Sequence, residues 1–211
     1  MTKLQRIPIK LPNPTQRYFE DQAANWDTRM PPNYSAILET FARPFADEFQ
    51  AASSILEIGT GTGALIPVLK SLAPDTQLTS VDLAYAMLHQ ARQRTPDARL
   101  FQADVHYLPL ASMCFDLVIC HNSFPHFAKK QQALDEIKRV LRPNGKLMIL
   151  HNNSREFVNG IHTRVGEPLH HDLLPSGEDM HNLLTTSGWK AVAVEDAPNR
   201  YVARAEVGQD S

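Results

Sequence analysis

The sequence predicts an α/β fold built on a doubly wound parallel sheet, and three observations support that class. Short apolar segments alternate with amphipathic ones after residue 53, which is typical of a sheet covered by helices on both faces. The first apolar segment runs into ILEIGTGTGALIP, residues 55–67, where glycines at alternate positions precede a helical pattern. The chain of 211 residues, 43% of them hydrophobic, can bury one sizeable core. We therefore expect a single domain over residues 1–211.

Residues 1–50 are predicted to form an arm followed by a helical cover. Prolines up to Pro14 disfavour helix and sheet pairing, so we expect a loosely attached arm there. A short helix capped by Thr15 is predicted over Thr15–Asp27. Apolar residues recur near the helical period over Asn33–Gln50, which predicts a second helix with a kink at Pro44.

Strands and helices then alternate to the end of the chain. The predicted strands are Ser54–Ile58, Gln77–Val81, Ala98–Gln102, Phe115–Cys120, Lys146–Leu150, Trp189–Glu195 and Tyr201–Ala205. The predicted helices are Ala64–Leu72, Ala84–Arg94, Lys129–Leu141 and Glu178–Ser187. A turn is predicted at Arg142–Gly145. Residues 152–175 are too many for an ordinary connection and hold only a short helix near Ser154–Asn159, so we expect a lid-like insertion.

Composition and charge favour small-molecule chemistry in the cytoplasm. A net charge of -2 and a pI near 6.5 give no overall electrostatic basis for nucleic-acid binding. The N-terminal sequence contains no apolar stretch long enough for a signal peptide or a membrane span. Cys114 and Cys120 lie too close on one strand and its approach to form a disulfide, so we expect both to be reduced. The sequence leaves the choice between a monomer and a homodimer open.

The glycine-rich loop is compatible with two kinds of adenosine cofactor. Gly59-x-Gly61-x-x-Ala64 satisfies a loose dinucleotide fingerprint, and Asp82 follows at a distance suited to binding ribose hydroxyls. The same spacing also suits S-adenosylmethionine. Glu57, an acid within an otherwise apolar strand, favours the second cofactor, because a carboxylate repels a pyrophosphate but attracts the ammonium of a methionine moiety.

Five motifs in one order resemble those of the class I S-adenosylmethionine-dependent methyltransferases. They are LEIGTGTG at 56–63, VDLAYAML at 81–88, FQADVHYLPL at 101–110, FDLVICHNSFPHF at 115–127 and EIKRVLRPNGKLMI at 136–149. The resemblance extends from about Tyr18 to Ala205. It implies a Rossmann-like seven-stranded sheet with an antiparallel last strand, helices on both faces and an N-terminal helical cover. It also implies S-adenosylmethionine as cofactor.

The same resemblance implies which residues bind that cofactor. They are Glu57, Gly59, Thr60, Gly61, Gly63, Asp82, Leu83, Met87, Asp104, Val105 and His121. Glu57 and the glycine loop would hold the methionine end, and Asp82 would accept from both ribose hydroxyls. Leu83 and Met87 would line the adenine, and Asp104 and Val105 would meet its polar edge. His121 follows the fourth strand, where cofactor and substrate meet. Each residue has a structural alternative, such as a helix cap for Asp82 or core packing for Met87.

Histidines are concentrated after the fourth and fifth predicted strands. Because carboxyl ends of parallel strands form the ligand crevice of doubly wound folds, we expect them to face the site. His151 is the first candidate for a base that deprotonates a methyl acceptor, followed by His126 and His162. The alternative for each is a hydrogen bond to a loop carbonyl. A metal held by three of these imidazoles stays open as an alternative, although their spacing matches no fixed metal motif.

The sequence therefore predicts a methyltransferase that acts on a small-molecule acceptor. The alternative from another class is a noncatalytic protein that binds S-adenosylmethionine or a metal on the same scaffold. Methylation of RNA or protein is disfavoured, because the chain shows no basic aromatic surface and no added binding module. The acceptor and its reactive atom are not defined by these residues, since this fold serves many substrates.

Overall fold

A computed structural model of the chain describes residues 13–209. The arm predicted before Pro14 therefore falls almost entirely outside the described residues. The chain divides into two compact units, Met1–Asp104 and Val105–Ser211. Across residues 13–209, none of the helices combines the length and the apolar character needed to span a bilayer.

The first unit carries a parallel three-stranded part of the sheet, with helices before and between the strands. Its elements are α1 Pro14–Gln22, α2 Tyr34–Ala42, α3 Ala46–Ala51, β1 Ser54–Ile58, α4 Ile66–Leu72, β2 Gln77–Asp82, α5 Tyr85–Arg94 and β3 Arg99–Gln102. β1 and β3 both pair with β2 in parallel. All of β1 after its first residue is buried. Ile66, Leu88 and Leu100 pack together between the strands and the helices that cover them.

The second unit begins with a parallel strand pair and ends in an antiparallel hairpin. Its elements are β4 Phe115–His121, α6 Lys130–Val140, β5 Leu141–His151, α7 Arg155–Val165, α8 Gly177–Thr186, β6 Lys190–Ala197 and β7 Arg200–Glu206. β4 pairs with β5 in parallel, whereas β7 is antiparallel to both β5 and β6. Ala197 pairs with Arg200, so the hairpin closes over two residues.

The strands form one seven-stranded sheet in the order β3-β2-β1-β4-β5-β7-β6. The predicted fold class, a doubly wound sheet with an antiparallel last strand, is therefore confirmed. Cys120 is buried within β4, and Cys114 precedes that strand and is half-buried.

The N-terminal helices differ from the prediction at their ends. Thr15 is not the cap of α1: Asn13 Oδ1 accepts a hydrogen bond of 2.7 Å from the backbone N–H of Gln16. Pro14 then occupies the first turn, where a missing N–H costs nothing, so the helix begins earlier than predicted. The predicted second helix is interrupted at Pro44 by a 3₁₀ turn, which confirms the expected kink and separates α2 from α3.

The turn predicted at Arg142–Gly145 lies inside β5. This strand begins at Leu141 and not at Lys146, and it pairs irregularly with β4. Leu141 pairs with Phe115, whereas Lys146 pairs with Leu117, so four residues of β5 lie opposite one residue of β4 and bulge out. Asn144 adopts a left-handed φ of 62° within the bulge. The turn-forming residues were identified correctly, but strand pairing begins before them.

The segment predicted as a lid-like insertion is more helical than expected. α7 is capped by Ser154, whose hydroxyl accepts from the N–H of Phe157, and it continues to Val165 rather than ending near Asn159. Asn159 then binds the far end of the segment through two hydrogen bonds with the backbone of Leu174, of 2.8 and 3.1 Å. The segment is thereby tied to its own helix.

Candidate active site

The backbone of the glycine-rich loop turns sharply as it leaves the carboxyl end of β1. Gly59, Gly61 and Gly63 have φ values of 75°, 55° and 76°, a region that favours glycine. The N–H groups of Gly59 and Thr60 both donate to the carbonyl of Val81, at 2.8 and 3.1 Å. The loop is thus held against the end of β2.

Two glycines of the loop have opposite surroundings. A Cβ added to Gly63 would lie 2.8 Å from Ala91 Cβ, because helix α5 passes directly against this residue. A Cβ added to Gly61 would meet nothing within 4 Å. Gly63 therefore serves close helix packing, whereas Gly61 borders open space that a ligand can approach.

Asp82 connects this loop with the end of β2. Its Oδ2 accepts the backbone N–H of Gly61 at 2.7 Å, and its Oδ1 accepts that of Ala84 at 2.8 Å. Burial raises the pKa of Asp82 to about 6, against the lowering effect of these hydrogen bonds. A carboxylate has about four lone-pair positions, so each oxygen retains capacity for a further donor such as a ribose hydroxyl.

Glu57 is a second buried acid in the same unit. Only 1% of its surface is exposed, and the hydroxyls of Thr60 and Ser80 donate to its Oε2 at 2.7 and 2.8 Å. Burial is the main factor that raises the pKa of Glu57, and the charge of Asp82 adds to it. Oε1 receives neither hydroxyl. A buried carboxylate surrounded by uncharged donors is suited to a ligand that brings positive charge.

Leu83 follows Asp82 and offers its carbonyl to two glutamine side chains. The amides of Gln16 and Gln102 donate to that carbonyl at 3.2 and 3.0 Å. The Oε1 atoms of both glutamines are buried and have no hydrogen-bond partner. Buried acceptors without partners are rare in native structures, and two of them lie on the side chains that bind Leu83.

Helix α1 docks where α5 begins. Both carboxylate oxygens of Glu20 accept backbone N–H groups, one from Tyr85 and one from Ala86, each at 2.8 Å. Phe19 and Trp26 pack with the apolar cluster that buries Met87 to 1% exposure. The observed contacts of Met87 are thus core contacts, while its predicted role beside adenine stays a prediction.

Replacing Glu20 with Ala is expected to lower the free energy of unfolding by about 1–2 kcal/mol, as removal of a helix cap does. The first N–H groups of α5 lose their acceptors in this variant. Urea denaturation measures the change. Glu39→Ala is the matched control, because its exposed ion pair with Arg43 contributes less than about 0.5 kcal/mol. Equal losses in the two variants would contradict a capping role.

The remaining residues predicted at the adenine follow β3. Asp104 is half-buried at the end of the first unit, and Val105, the first residue of the second unit, is 7% exposed. Their roles toward adenine stay predictions.

In the second unit, His121 is the last residue of β4, Asn122 follows it, and the two side chains share one acceptor. Asn152 Oδ1 lies 3.3 Å from His121 Nε2 and 2.8 Å from Asn122 Nδ2. Desolvation lowers the pKa of His121 to about 4, so its ring is neutral near neutral pH. Asn122 has a left-handed φ of 52° and donates its N–H to the carbonyl of Leu150. The polar link fixes the chain where β4 and β5 end.

His126 and His162 form a group with Asp172. Asp172 Oδ2 lies 2.9 Å from His126 Nδ1, and the backbone carbonyl of Asp172 contacts His162 Nδ1. The two imidazole rings are 4.8 Å apart between centroids. Burial lowers the pKa of His162, and the nearby ring of His126 lowers it further. Two of the three predicted catalytic histidines therefore lie together, joined by one acidic residue.

His151, the third, is buried at the end of β5 opposite Tyr201 on β7. The two rings lie 6.1 Å apart in an edge-to-face arrangement. Both ring nitrogens of His151 and the hydroxyl of Tyr201 are buried without a hydrogen-bond partner. Burial first, and then His121, His126 and His162, lower the pKa of His151 well below its usual value. The electrostatic effects of the other three histidines on His151 place all four near one another in the second unit. The lowered pKa keeps the His151 ring neutral near neutral pH.

The sequence leaves a metal site open, and the positions of the side chains bear on it. Within the part of the chain that the structure describes, no three His, Cys, Asp or Glu side chains are placed to hold a metal ion.

Several residues of this arrangement were not predicted from the sequence. They are Gln16, Glu20, Gln102, Asp172 as a partner of histidines, and Tyr201. Polar side chains after His151 bond within the protein: Arg155 pairs with Asp196, and Asn159 binds Leu174. No spacing rule identifies such contacts, because the partners are distant in sequence.

Comparison with known proteins supports the interpretation of the fold and motifs. The family described as "Methyltransferase domain" matches residues 56–149. A demethylmenaquinone methyltransferase of Thermotoga maritima is 32% identical over 112 residues, 52% of this chain and 49% of the relative. A malonyl-[acyl-carrier protein] O-methyltransferase of a Paenibacillus species is 31% identical over 168 residues, 76% of this chain and 59% of the relative. The chain thus spans about half of each relative's length.

A solved structure shows the same fold over nearly the whole chain. A SAM-dependent methyltransferase from Aquifex aeolicus superposes with a TM-score of 0.67 at 19% identity, covering 91% of this chain and 98% of that one. Residues 56–149, a little under half of the chain, thus match a methyltransferase domain, and the chain shares the fold of the Aquifex protein.

Proposed function

We propose that the protein transfers the methyl group of S-adenosylmethionine to a small-molecule acceptor. The observation that carries the proposal is the buried Asp82 carboxylate, which fastens the glycine loop to the end of β2 and retains acceptor capacity. Dinucleotide-binding sites share this device, so the cofactor is chosen by a second feature. Glu57 supplies a buried carboxylate that suits an ammonium group and opposes a pyrophosphate.

The residues of the first unit fit this cofactor in three places. Open space beside Gly61 admits a ligand, and Asp82 offers its carboxylate to two ribose hydroxyls. Glu57, with the loop Gly59–Gly63, would hold the methionine end. The predicted acceptor Asp104 would take an N–H of the adenine amino group. When bound, the cofactor supplies an electrophilic methyl group on a sulfonium.

The second unit supplies candidate bases for the acceptor. We keep His151, His126 and His162 as the residues that assist deprotonation, with His121 toward the cofactor. All four belong to one group that is largely removed from water. Neutral imidazoles can accept a proton near neutral pH. Residues 1–211 would act as one methyltransferase domain, with residues 152–175 as its lid-like part.

Calorimetric titration tests the cofactor directly. The protein is expected to bind S-adenosylmethionine and S-adenosylhomocysteine and not NAD, since the dinucleotide places its pyrophosphate against an acidic site. Binding of NAD in preference to S-adenosylmethionine would overturn the proposal. The noncatalytic alternative predicts binding without turnover, so release of S-adenosylhomocysteine in the presence of a small-molecule extract decides between the two functions.

A further inference from the structure

Asp172 contacts two imidazoles with two different oxygens. Its side-chain Oδ2 lies 2.9 Å from His126 Nδ1, whereas its main-chain carbonyl contacts His162 Nδ1. The side chains of His126 and Asp172 are 15% and 17% exposed, so water competes weakly for this contact. One residue thus holds the same ring nitrogen of both histidines.

The contact with the carbonyl fixes the proton position in His162. A backbone carbonyl accepts hydrogen bonds and cannot donate them, so Nδ1 of His162 must carry the hydrogen. Its surroundings favour the neutral ring, because burial and the neighbouring imidazole oppose a second proton. Neutral His162 therefore has its unprotonated nitrogen at Nε2.

The same reasoning applies to His126. An ionised carboxylate accepts hydrogen bonds and does not donate them, so Asp172 selects the Nδ1–H form of the neutral His126 ring. Nε2 of His126 then becomes the basic nitrogen. The negative charge of Asp172 also stabilises the imidazolium that forms when Nε2 takes a proton.

We infer that Asp172 is a positioning residue that holds His126 and His162 in the Nδ1–H tautomer, so that His126 Nε2 receives the proton of a hydroxyl-bearing acceptor. The inference rests on the proposed function for its chemical step. In that step the acceptor O–H bond breaks, its proton moves to Nε2, and its oxygen forms a bond to the methyl carbon as the sulfur–methyl bond breaks. The products are a methyl ether, S-adenosylhomocysteine and an imidazolium, which returns its proton to solvent.

The contacts favour His126 over His151 as the base. His151 has no hydrogen-bond partner at either ring nitrogen, so no neighbour selects its tautomer or compensates a positive charge. His126 has a carboxylate for both purposes. His151 and Tyr201 are instead uncharged rings whose polar atoms are buried.

The role of a base also favours an acceptor that still carries a proton. Asp172 and the nearby ammonium of Lys130 contribute opposite charges, and His162 and His151 are held neutral. An acceptor that is already a carboxylate would need no base. A hydroxyl, by contrast, supplies the proton for which the two oriented imidazoles are arranged.

Nitrogen-15 NMR of the histidine-labelled full-length protein tests the tautomers without any acceptor or cofactor. Spectra at about pH 8.5, above the usual titration of imidazole, show which ring nitrogen carries hydrogen. His126→Gln and His162→Gln identify the two signals. We expect Nδ1–H forms for both rings. A wild-type His126 in the Nε2–H form would overturn the inference.

Asp172→Asn separates the two contacts within one protein. An amide offers Nδ1 a donor as well as an acceptor, so the Nδ1–H form is no longer selected and the Nε2–H form of His126 should rise. His162 should keep its Nδ1–H form, because its partner is the main-chain carbonyl. Asp135→Asn, on the exposed face of α6, is the matched control and should change neither ring. An unchanged His126 tautomer in Asp172→Asn would contradict the assignment.

The role in turnover is measured with labelled S-adenosylmethionine and a small-molecule extract. Asp172→Asn is expected to lower the rate of methyl transfer about 100-fold or more, the usual contribution of a positioned base, with cofactor affinity unchanged. A rate close to that of the wild type would overturn the catalytic part. Failure of the wild-type protein to transfer methyl would instead count against the proposed function, and the NMR result would still decide the role of Asp172.

Discussion

Replacing Asp82 with Ala is expected to weaken the binding of S-adenosylmethionine at least 100-fold. The carboxylate is proposed to accept both ribose hydroxyls, and hydrogen bonds to a charged group contribute about 1.5–3 kcal/mol each. The variant also releases the N–H of Gly61 and so loosens the loop. Calorimetric titration of wild-type and variant protein measures the change.

Two further variants distinguish the loss of a ribose contact from a loss of folding. Asp82→Asn preserves the shape of the side chain and should still lose most of the affinity. Asp97→Ala removes an exposed acid from the same unit, paired with Lys70, and should bind like the wild type. Wild-type affinity in folded Asp82→Ala would show that the ribose is held elsewhere.

Cofactor affinity should also depend on pH through Asp82. Burial raises the pKa of Asp82 to about 6 in the folded protein, so the carboxyl group gains a proton as the pH falls through that value. The ribose hydroxyls favour the ionised group, so affinity should fall between about pH 7 and 5, roughly tenfold per unit once the group is protonated. The free energy of unfolding changes in the opposite direction. It falls as the pH rises from 3.8 to about 6, because the buried group must then ionise. Asp82→Asn should reduce the pH dependence of the affinity, and the part that remains is expected from Glu57, whose pKa burial also raises.

Gly63→Ala is expected to lower the free energy of unfolding by about 3 kcal/mol, since a left-handed alanine costs about 1–2 kcal/mol and overpacking costs 1–3 kcal/mol. The new Cβ would lie 2.8 Å from Ala91 Cβ and 3.1 Å from Ala91 Cα, so α5 or the loop must move. Urea denaturation measures the loss.

Gly61→Ala is the matched comparison for Gly63→Ala. Its φ is also left-handed, but no atom lies within 4 Å of the added Cβ, so its stability should fall by about 1–2 kcal/mol only. The affinity for the cofactor should fall as well, because the Cβ enters the space assigned to the ligand. Gly160→Ala, within α7, should leave stability unchanged or raise it by up to about 1 kcal/mol. Equal stability losses for Gly61 and Gly63 would contradict the distinction between ligand space and helix packing.

Elements set by local patterns were predicted well. β1 has the predicted bounds, because a buried apolar run ends at glycines that cannot continue it. Elements whose limits depend on partners were not: β5 begins at Leu141 because pairing with Phe115 extends it through turn-forming residues. The cap of α1 was missed by two residues, since Asn13 and Thr15 both suit the position and Pro14 decides between them.

The candidate site divides in the same way. Asp82 was identified by its distance from the glycine loop, and Glu57 because an acid within an otherwise apolar strand is unusual. Glu20 and Asp172 were not identified in their roles, since the side chain of each contacts groups more than 40 residues away and an acidic side chain in a helix or loop carries no local signal. Long-range hydrogen bonds of this kind require the fold.

Transfer of a labelled methyl group tests the central claim most directly. The protein is incubated with methyl-labelled S-adenosylmethionine and a whole-cell extract, and the label is followed in filtered small molecules, RNA and protein. The account predicts label in the small-molecule fraction that disappears with Asp82→Ala. Label confined to RNA or protein, or equal labelling by wild-type protein and Asp82→Ala, would contradict it.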